Sequence, residues 1–318
     1  MKTHFLLFLY SILFCLFSCN DEVFIDKLAP SVTEMNVPAD GSTLRIDLGT
    51  DDWEISSVST GNDCLYGDIY DLNGKQVSEN SPLKGSGLLR MTSRHPVVDF
   101  VLERTCGHEL QLTINENPSA RVFPLSVSVY NRYESRTIHL NLEPSEPYRL
   151  DSITYRLDSY GVRPNFSYGP ANSSVVLTNR YSDSSLSWTV YPYQKAPGLV
   201  KFTVWGEGSL DLFGAEGVLV RIPEPRWRLF FLSKEMYPLS QEYITVPIYE
   251  KLYAVADTLT VPPFKNMLLQ TEVEYEAKEF SCDLYATHPR TGRKKHITAI
   301  CDRVDPVDYT LEQTLFAD

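Results

Sequence analysis

From Ser31 onward, apolar and polar residues alternate along the chain, and no window keeps apolar residues at helical spacing for three turns. Period-2 runs recur instead, as in Thr43-Leu44-Arg45-Ile46-Asp47-Leu48, Leu110 to Ile114, Leu125 to Val129, Thr137 to Leu142 and Leu199 to Val204. Alternation of this kind sends one set of side chains to a core and the other to water, because successive Cβ atoms of a strand point to opposite faces. Turn chemistry separates the runs at Asp40-Gly41, Asn73-Gly74, Glu116-Asn117-Pro118, Gly169-Pro170 and Thr291-Gly292. The pattern predicts an all-β protein of tandem immunoglobulin-like antiparallel β-sandwiches.

Two proline-rich seams, Glu143-Pro144-Ser145-Glu146-Pro147 and Pro223-Glu224-Pro225, interrupt the alternation. Proline has no N–H to give to a ladder, so both seams read as stiff joints. They divide the chain into sandwiches at 31–143, 148–222 and 227–318, each of ordinary domain size. The middle segment either folds alone or shares a core with the third.

The amino terminus follows a different rule. Residues 5–17, FLLFLYSILFCLF, carry no charge and are too few to span a bilayer, which takes roughly 20 residues. With Lys2 before them they form the hydrophobic core of a signal peptide, residues 1–18. The run ends Leu16-Phe17-Ser18-Cys19, which resembles the lipobox of bacterial lipoproteins, although Phe17 is larger than the residue usual at that place. The resemblance implies acylation of Cys19, cleavage before it, and an outer-membrane lipid as partner. Two or three acyl chains hold firmly where one binds reversibly. Residues 19–30 then form an acidic tether. Asn20-Asp21-Glu22 is similar to the export signal of Bacteroidetes lipoproteins and implies display at the cell surface; a solvated linker is the alternative.

Composition narrows the partners. The 318 residues include 29 Lys and Arg against 41 Asp and Glu, a formal charge of −12, which opposes binding to a phosphate backbone. Nucleic acid is not expected as a partner. Nineteen Tyr and 15 Phe favour strands and supply aromatic surface.

Val37-Pro38-Ala39-Asp40-Gly41-Ser42 leading into the alternating run to Leu48, with Asp51-Asp52-Trp53-Glu54-Ile55 after it, resembles the opening of a BACON domain, an immunoglobulin-like module of Bacteroidetes surface proteins. Glu116-Asn117-Pro118-Ser119-Ala120-Arg121 and the two runs that follow are similar to that family's closing turn and final strands. The family's usual final Gln is absent, and 63–105 is longer than the family pattern. The resemblance covers about a third of the chain and implies a place in glycan handling, as a carbohydrate-binding module or as a spacer. Trp53 has two readings, a stacking face for sugar or a core residue between sheets, and its setting before alternating Ile55 favours the core.

Cys64, Cys106, Cys282 and Cys301 remain in the mature chain, in an oxidising compartment. A hairpin turning between Thr291 and Gly292 would set Cys282 opposite Cys301, within disulfide reach. The expected pairs are therefore 282–301 and, by remainder, 64–106. No C-x-x-C is present, and neither a metal site nor any cofactor is expected.

Catalytic signatures are absent: there is no G-x-S-x-G, H-E-x-x-H, S-x-x-K or phosphate loop. His139 sits on the polar phase of its run. His288 and His296 flank a basic turn with Arg290, Arg293, Lys294 and Lys295, read as a solvated hairpin tip. Glu272, Glu274 and Glu276 fall on one wet strand face. Aromatic residues gather at 155–193, and alternation through Trp188 to Tyr193 puts Tyr191 and Tyr193 on one face, a candidate ligand platform or an interdomain contact. Asp151-Ser152-Ile153 and Asp257-Thr258-Leu259 resemble the acceptor of the Bacteroidetes O-glycosylation system, which implies exposed Ser152 and Thr258. The expected function is that of a non-catalytic outer-membrane surface lipoprotein, a glycan-binding or adhesion accessory. Its partner would be a glycan or another surface protein. The alternative is a structural, assembly or spacer subunit of a fimbria or glycan-uptake system; a hydrolase of unfamiliar type is the third.

Overall fold

In a computed structural model, residues 27–317 are described, apart from 167, 206, 207, 215, 216, 227 and 228. The signal peptide, Cys19 and most of the tether lie outside the described residues. The protein is all-β, and its helical elements among the described residues are 3₁₀ turns of three to five residues. Among the described residues, no helix is long and apolar enough to cross a membrane.

Contacts divide the described residues into two compact units, one of residues 27–117 with 121–145, the other of 118–120 with 146–317. The first unit is a sandwich of two sheets. Its strands are β1 (Glu34–Val37), β2 (Ser42–Asp47), β3 (Glu54–Thr60), β4 (Asp63–Cys64), β5 (Tyr66–Tyr70), β6 (Gln76–Pro82), β7 (Leu89–Ser93), β8 (Asp99–Arg104), β9 (Glu109–Glu116), β10 (Phe123–Tyr130) and β11 (Ser135–Leu142). One sheet runs β1-β11-β10-β3-β4, the other β2-β9-β8-β7-β5-β6, and every pair is antiparallel except β1 with β11. Strict alternation on β9 and β10 buries Leu110, Leu112 and Ile114 in one layer and Leu125, Val127 and Val129 in the other. Trp53 is 2% exposed; its Nε1–H donates to the Gly107 carbonyl at 2.6 Å, and the Arg104 guanidinium lies 4.1 Å from its ring centroid. Trp53 is thus a core residue, and no face of it is open to a sugar. Asn117, fully buried, closes the turn after β9 by donating from Nδ2 to the carbonyls of Arg121 and Leu142, each at 3.0 Å.

The second unit contains β12 (Arg149–Phe166), β13 (Ser173–Asn179), β14 (Leu186–Val190), β15 (Gly198–Val204), β16 (Leu219–Val220), β17 (Pro223–Arg226), β18 (Leu229–Leu232), β19 (Tyr237–Pro238), β20 (Ile244–Val246), β21 (Asp257–Val261), β22 (Lys265–Thr287) and β23 (Lys294–Phe316). Its main sheet runs β12-β22-β23-β15-β20, with β13 on the far half of β22. The separation expected between 148–222 and 227–318 is not found. β12, β13 and β15 come from the first of those segments and hydrogen-bond to β22 and β23 of the second, so the two share one sheet and one core. Nor is Pro223-Glu224-Pro225 a joint. It is strand β17, paired with β18 alone in a two-stranded sheet, the edge position that tolerates proline in a strand.

β22 and β23 pair from Asn266↔Phe316 to Thr287↔Lys294 with one register shift, at Glu274/Tyr275. At about 3.3 Å per residue, 23 residues of strand trace roughly 75 Å. Alternation on β22 holds through the glutamates: Glu272 and Glu274 are exposed between buried Thr271, Val273 and Tyr275.

Candidate functional site

The cysteines form no disulfide among the described residues: Cys64 is exposed on β4, Cys106 half-buried after β8, and Cys282 and Cys301 are buried and free. The hairpin explains the last pair. Its ladder closes at Thr287↔Lys294, which sets Cys282 opposite Ala299 and Cys301 opposite Phe280, two residues from the expected register. A two-residue slip keeps both thiols on the buried face but makes them diagonal neighbours, about 7–8 Å apart at Cα, outside the usual disulfide range. Burial pushes the Cys282 thiol up to about 12 and the Cys301 thiol well above its ordinary value. Both are therefore unreactive thiols at neutral pH.

Tyr191 and Tyr193 also part company. β14 ends at Val190, and Pro192 opens a 3₁₀ turn, Pro192–Lys195, so strand alternation does not continue to Tyr193. Tyr193 turns inward, 4% exposed, with its ring edge-on to Tyr309 at 5.3 Å, and burial pushes its hydroxyl up to about 12. Tyr191 stays 49% exposed. Ser152 on β12 and Thr258 on β21 are both exposed. His139 is exposed beside Ser126, as its phase predicts. His288, by contrast, is fully buried and caps the basic turn through its ring. No three His, Cys, Asp or Glu residues converge on a metal geometry among the described residues.

The second unit has a groove that none of these readings named. Its volume is about 610 Å³, and Tyr237, Tyr249 and Tyr253 line it together with Glu224, Glu235, Glu250, Lys234 and Lys251. Five short segments supply them: Glu224 from β17, Lys234 and Glu235 from the turn after β18, Tyr237 from β19, Tyr249 from the chain after β20, and the rest from the 3₁₀ turn Glu250–Ala254.

Each wall is fixed from behind. Ser233, 5% exposed, accepts at Oγ from the Ile222 N–H at 3.0 Å and donates to the Glu235 carbonyl at 2.7 Å, which pins the turn carrying Lys234 and Glu235. Tyr237 donates to Glu235 Oε2 at 3.3 Å, and burial together with that carboxylate raises its hydroxyl against the opposing pull of Arg303. The opposite wall rests on Arg303, 1% exposed. Its Nη2 donates to the Pro247 carbonyl at 2.7 Å and to Asp305 Oδ1 at 2.6 Å, while Nε reaches both Asp305 oxygens at 2.9 and 3.0 Å. Gly198 makes room for this arrangement, since a Cβ there would lie 2.8 Å from Arg303 Nη2. Ile248, 4% exposed, ties the floor to the core cluster with Tyr275 and Val304.

Chemically, the groove offers aromatic faces beside carboxylates and ammonium groups. Flat rings pack on the apolar face of a pyranose, and carboxylates accept from its hydroxyls. The volume falls within the ordinary range of small-ligand sites. Nothing in the spacing of Glu224 through Tyr253 along the chain announced the groove; only the prevalence of tyrosine hinted at it.

No family model and no curated protein matches the chain. Among solved structures, it is similar to a lamprey immune protein, at 9% identity and a TM-score of 0.30 over 86% of this chain and 98% of that one. It is also similar to an aerolysin-like protein of Bombina maxima, at 15% identity and a TM-score of 0.21 over 52% and 97%. A third is the parasporin-2 toxin of Bacillus thuringiensis that recognizes cancer cells, at 13% identity and a TM-score of 0.23 over 53% and 74%. Likeness at these scores leaves the function to be argued from this chain's own residues.

Proposed function

We propose that the chain is a non-catalytic, surface-displayed lipoprotein that binds glycan, and that the groove lined by Tyr237, Tyr249 and Tyr253 is where the sugar docks. The observation that carries this reading is the convergence of three tyrosines and three glutamates from five segments on one groove of about 610 Å³. Ser233 and Arg303 hold its walls rigidly, so binding orders little that is not already ordered. The anchor is supported by the pattern at Leu16 to Cys19, and the glycan setting by the BACON-like stretches of 31–143.

The test is a glycan array probed with the purified chain from residue 20 onward. Retained sugars should be lost or weakened roughly tenfold by Tyr253→Ala and Tyr249→Ala, with the melting curve unchanged. An array without any retained glycan, or retention indifferent to both substitutions, would refute the reading. Release of shortened product from a retained glycan would refute the non-catalytic part. Mass spectrometry of the amino-terminal peptide from native membranes should find an acylated Cys19.

A second reading, as a spacer or assembly subunit, draws on the continuous β22–β23 ladder, which gives the second unit a long, hydrogen-bonded axis. Cross-linking on intact cells should then recover a defined surface partner, with the tyrosine variants behaving as wild type.

A further inference from the structure

The turn that joins β22 to β23 gathers positive charge. Arg290, Arg293, Lys294 and Lys295 fall within six residues, in a chain whose formal charge is −12. The turn is built to a definite shape. His288 is fully buried; its Nδ1 accepts from the N–H groups of Arg290 at 3.3 Å and Thr291 at 3.4 Å, and its backbone N–H donates to the Arg293 carbonyl at 2.8 Å. Gly292, at φ +69°, takes the left-handed position that returns the chain and donates to the His288 carbonyl at 2.9 Å. The His288 ring meets Tyr148 edge-on at 5.1 Å, and Lys295 Nζ lies 5.1 Å from the centroid of the same tyrosine.

Strand pairing extends the basic surface into an aromatic one. One row across the sheet is Arg149, Thr287 and Lys294; the next is Ser152, Tyr285 and His296. These positions share a face because they are two apart on each strand of the β22–β23 pair. Tyr285 is 44% exposed, and its ring stacks on His296 at 4.8 Å and 12°. Cations on a fixed turn, next to an exposed stacked ring pair, suit a polymer that alternates anionic groups with flat sugar rings. Arginine forks take sulfate or carboxylate bidentately. A lipid surface fits less well, because the exposed tip residues are Arg, Thr, Gly and Lys and offer no large apolar side chain to bury.

We propose that this tip is a second binding site, specific for a linear anionic polysaccharide, with Arg290, Arg293 and Lys294 on its sulfate or carboxylate groups and the Tyr285–His296 pair under a sugar ring. The site is separate from the tyrosine groove and stands whether or not that groove binds glycan.

The experiment measures the purified chain, from residue 20 onward, on immobilised heparin, on chemically desulfated heparin, and on vesicles of phosphatidylglycerol. Heparin is retained, weakening steeply as salt rises, and desulfated heparin at least tenfold less. The triple variant R290A/R293A/K294A loses at least tenfold, Tyr285→Ala loses severalfold, and Tyr253→Ala in the groove leaves heparin binding as it was. Should the triple variant melt early, Lys294→Glu reads the same contact from a single exposed position outside the turn's hydrogen bonds. Heparin binding equal in Lys294→Glu and wild type overturns the proposal. So does equal retention on desulfated heparin, or tip-dependent capture by phosphatidylglycerol vesicles without capture by heparin.

Discussion

The buried Arg303–Asp305 pair offers the sharpest test of how the groove is held. Arg303→Met removes one charge and leaves the Asp305 carboxylate, 8% exposed at its side chain, without the three nitrogen contacts of 2.6 to 3.0 Å that it now accepts. Removing one member of such a pair costs about 3–5 kcal/mol, mostly from the uncompensated charge left behind. For a unit of this size, that lowers the melting temperature by on the order of 10 °C. Removing both partners is different. Arg303→Met with Asp305→Leu strands no charge and keeps the volume filled, so most of the loss should return. The double variant still lacks the donor to the Pro247 carbonyl, so the groove wall is released although the unit is stable. Urea denaturation followed by a probe in the second unit measures the stabilities, and glycan retention measures the wall. A single variant that loses under about 1 kcal/mol, or a double variant no more stable than the single, would refute the argument.

Other consequences follow from the same contacts. Gly198→Ala drives a Cβ to 2.8 Å from Arg303 Nη2 and 3.1 Å from Asp305 Oδ1; the pinned guanidinium cannot swing away, so thermal denaturation should show a loss of about 1–3 kcal/mol. In the first unit, Trp53→Ala empties a site at 2% exposure and strands the Gly107 carbonyl, for a loss of about 3–5 kcal/mol in that unit's unfolding transition. Cys282 and Cys301 should resist alkylation in the native protein and react fully once it is unfolded, as mass spectrometry will count; a 282–301 disulfide found in native protein would contradict the register described here. The raised folded-state pKa of Cys282 keeps its stabilising contribution whole below the ordinary thiol value of 9.0. That contribution is lost as pH climbs from there towards about 12, because the unfolded thiol gives up its proton first. Alkaline titration of the second unit's stability should therefore flatten when Cys282 is replaced by Ala.

Much of this molecule was legible in the order of its residues, because strand alternation is local. Period two named β2, β9, β10, β11 and β15, placed Glu272 and Glu274 in water, and put Cys282 and Cys301 on one buried face. Register was not legible: slipping the β22–β23 pair by two residues changes no face, so hydrophobic pattern alone cannot tell Cys282↔Ala299 from Cys282↔Cys301. Where burial reaches both faces the pattern fails. Cys301 through Pro306 are buried without a break, and Asp302, Arg303 and Asp305 are tolerated there because partners arrive from far along the chain: Arg163 and Tyr243 for Asp302, Pro247 for Arg303. The same dependence on distant segments hid the tyrosine groove and joined 148–222 to 227–318. A sequence dictates which way each side chain of a strand points; which strands meet, and at what offset, is settled only when the whole sheet closes.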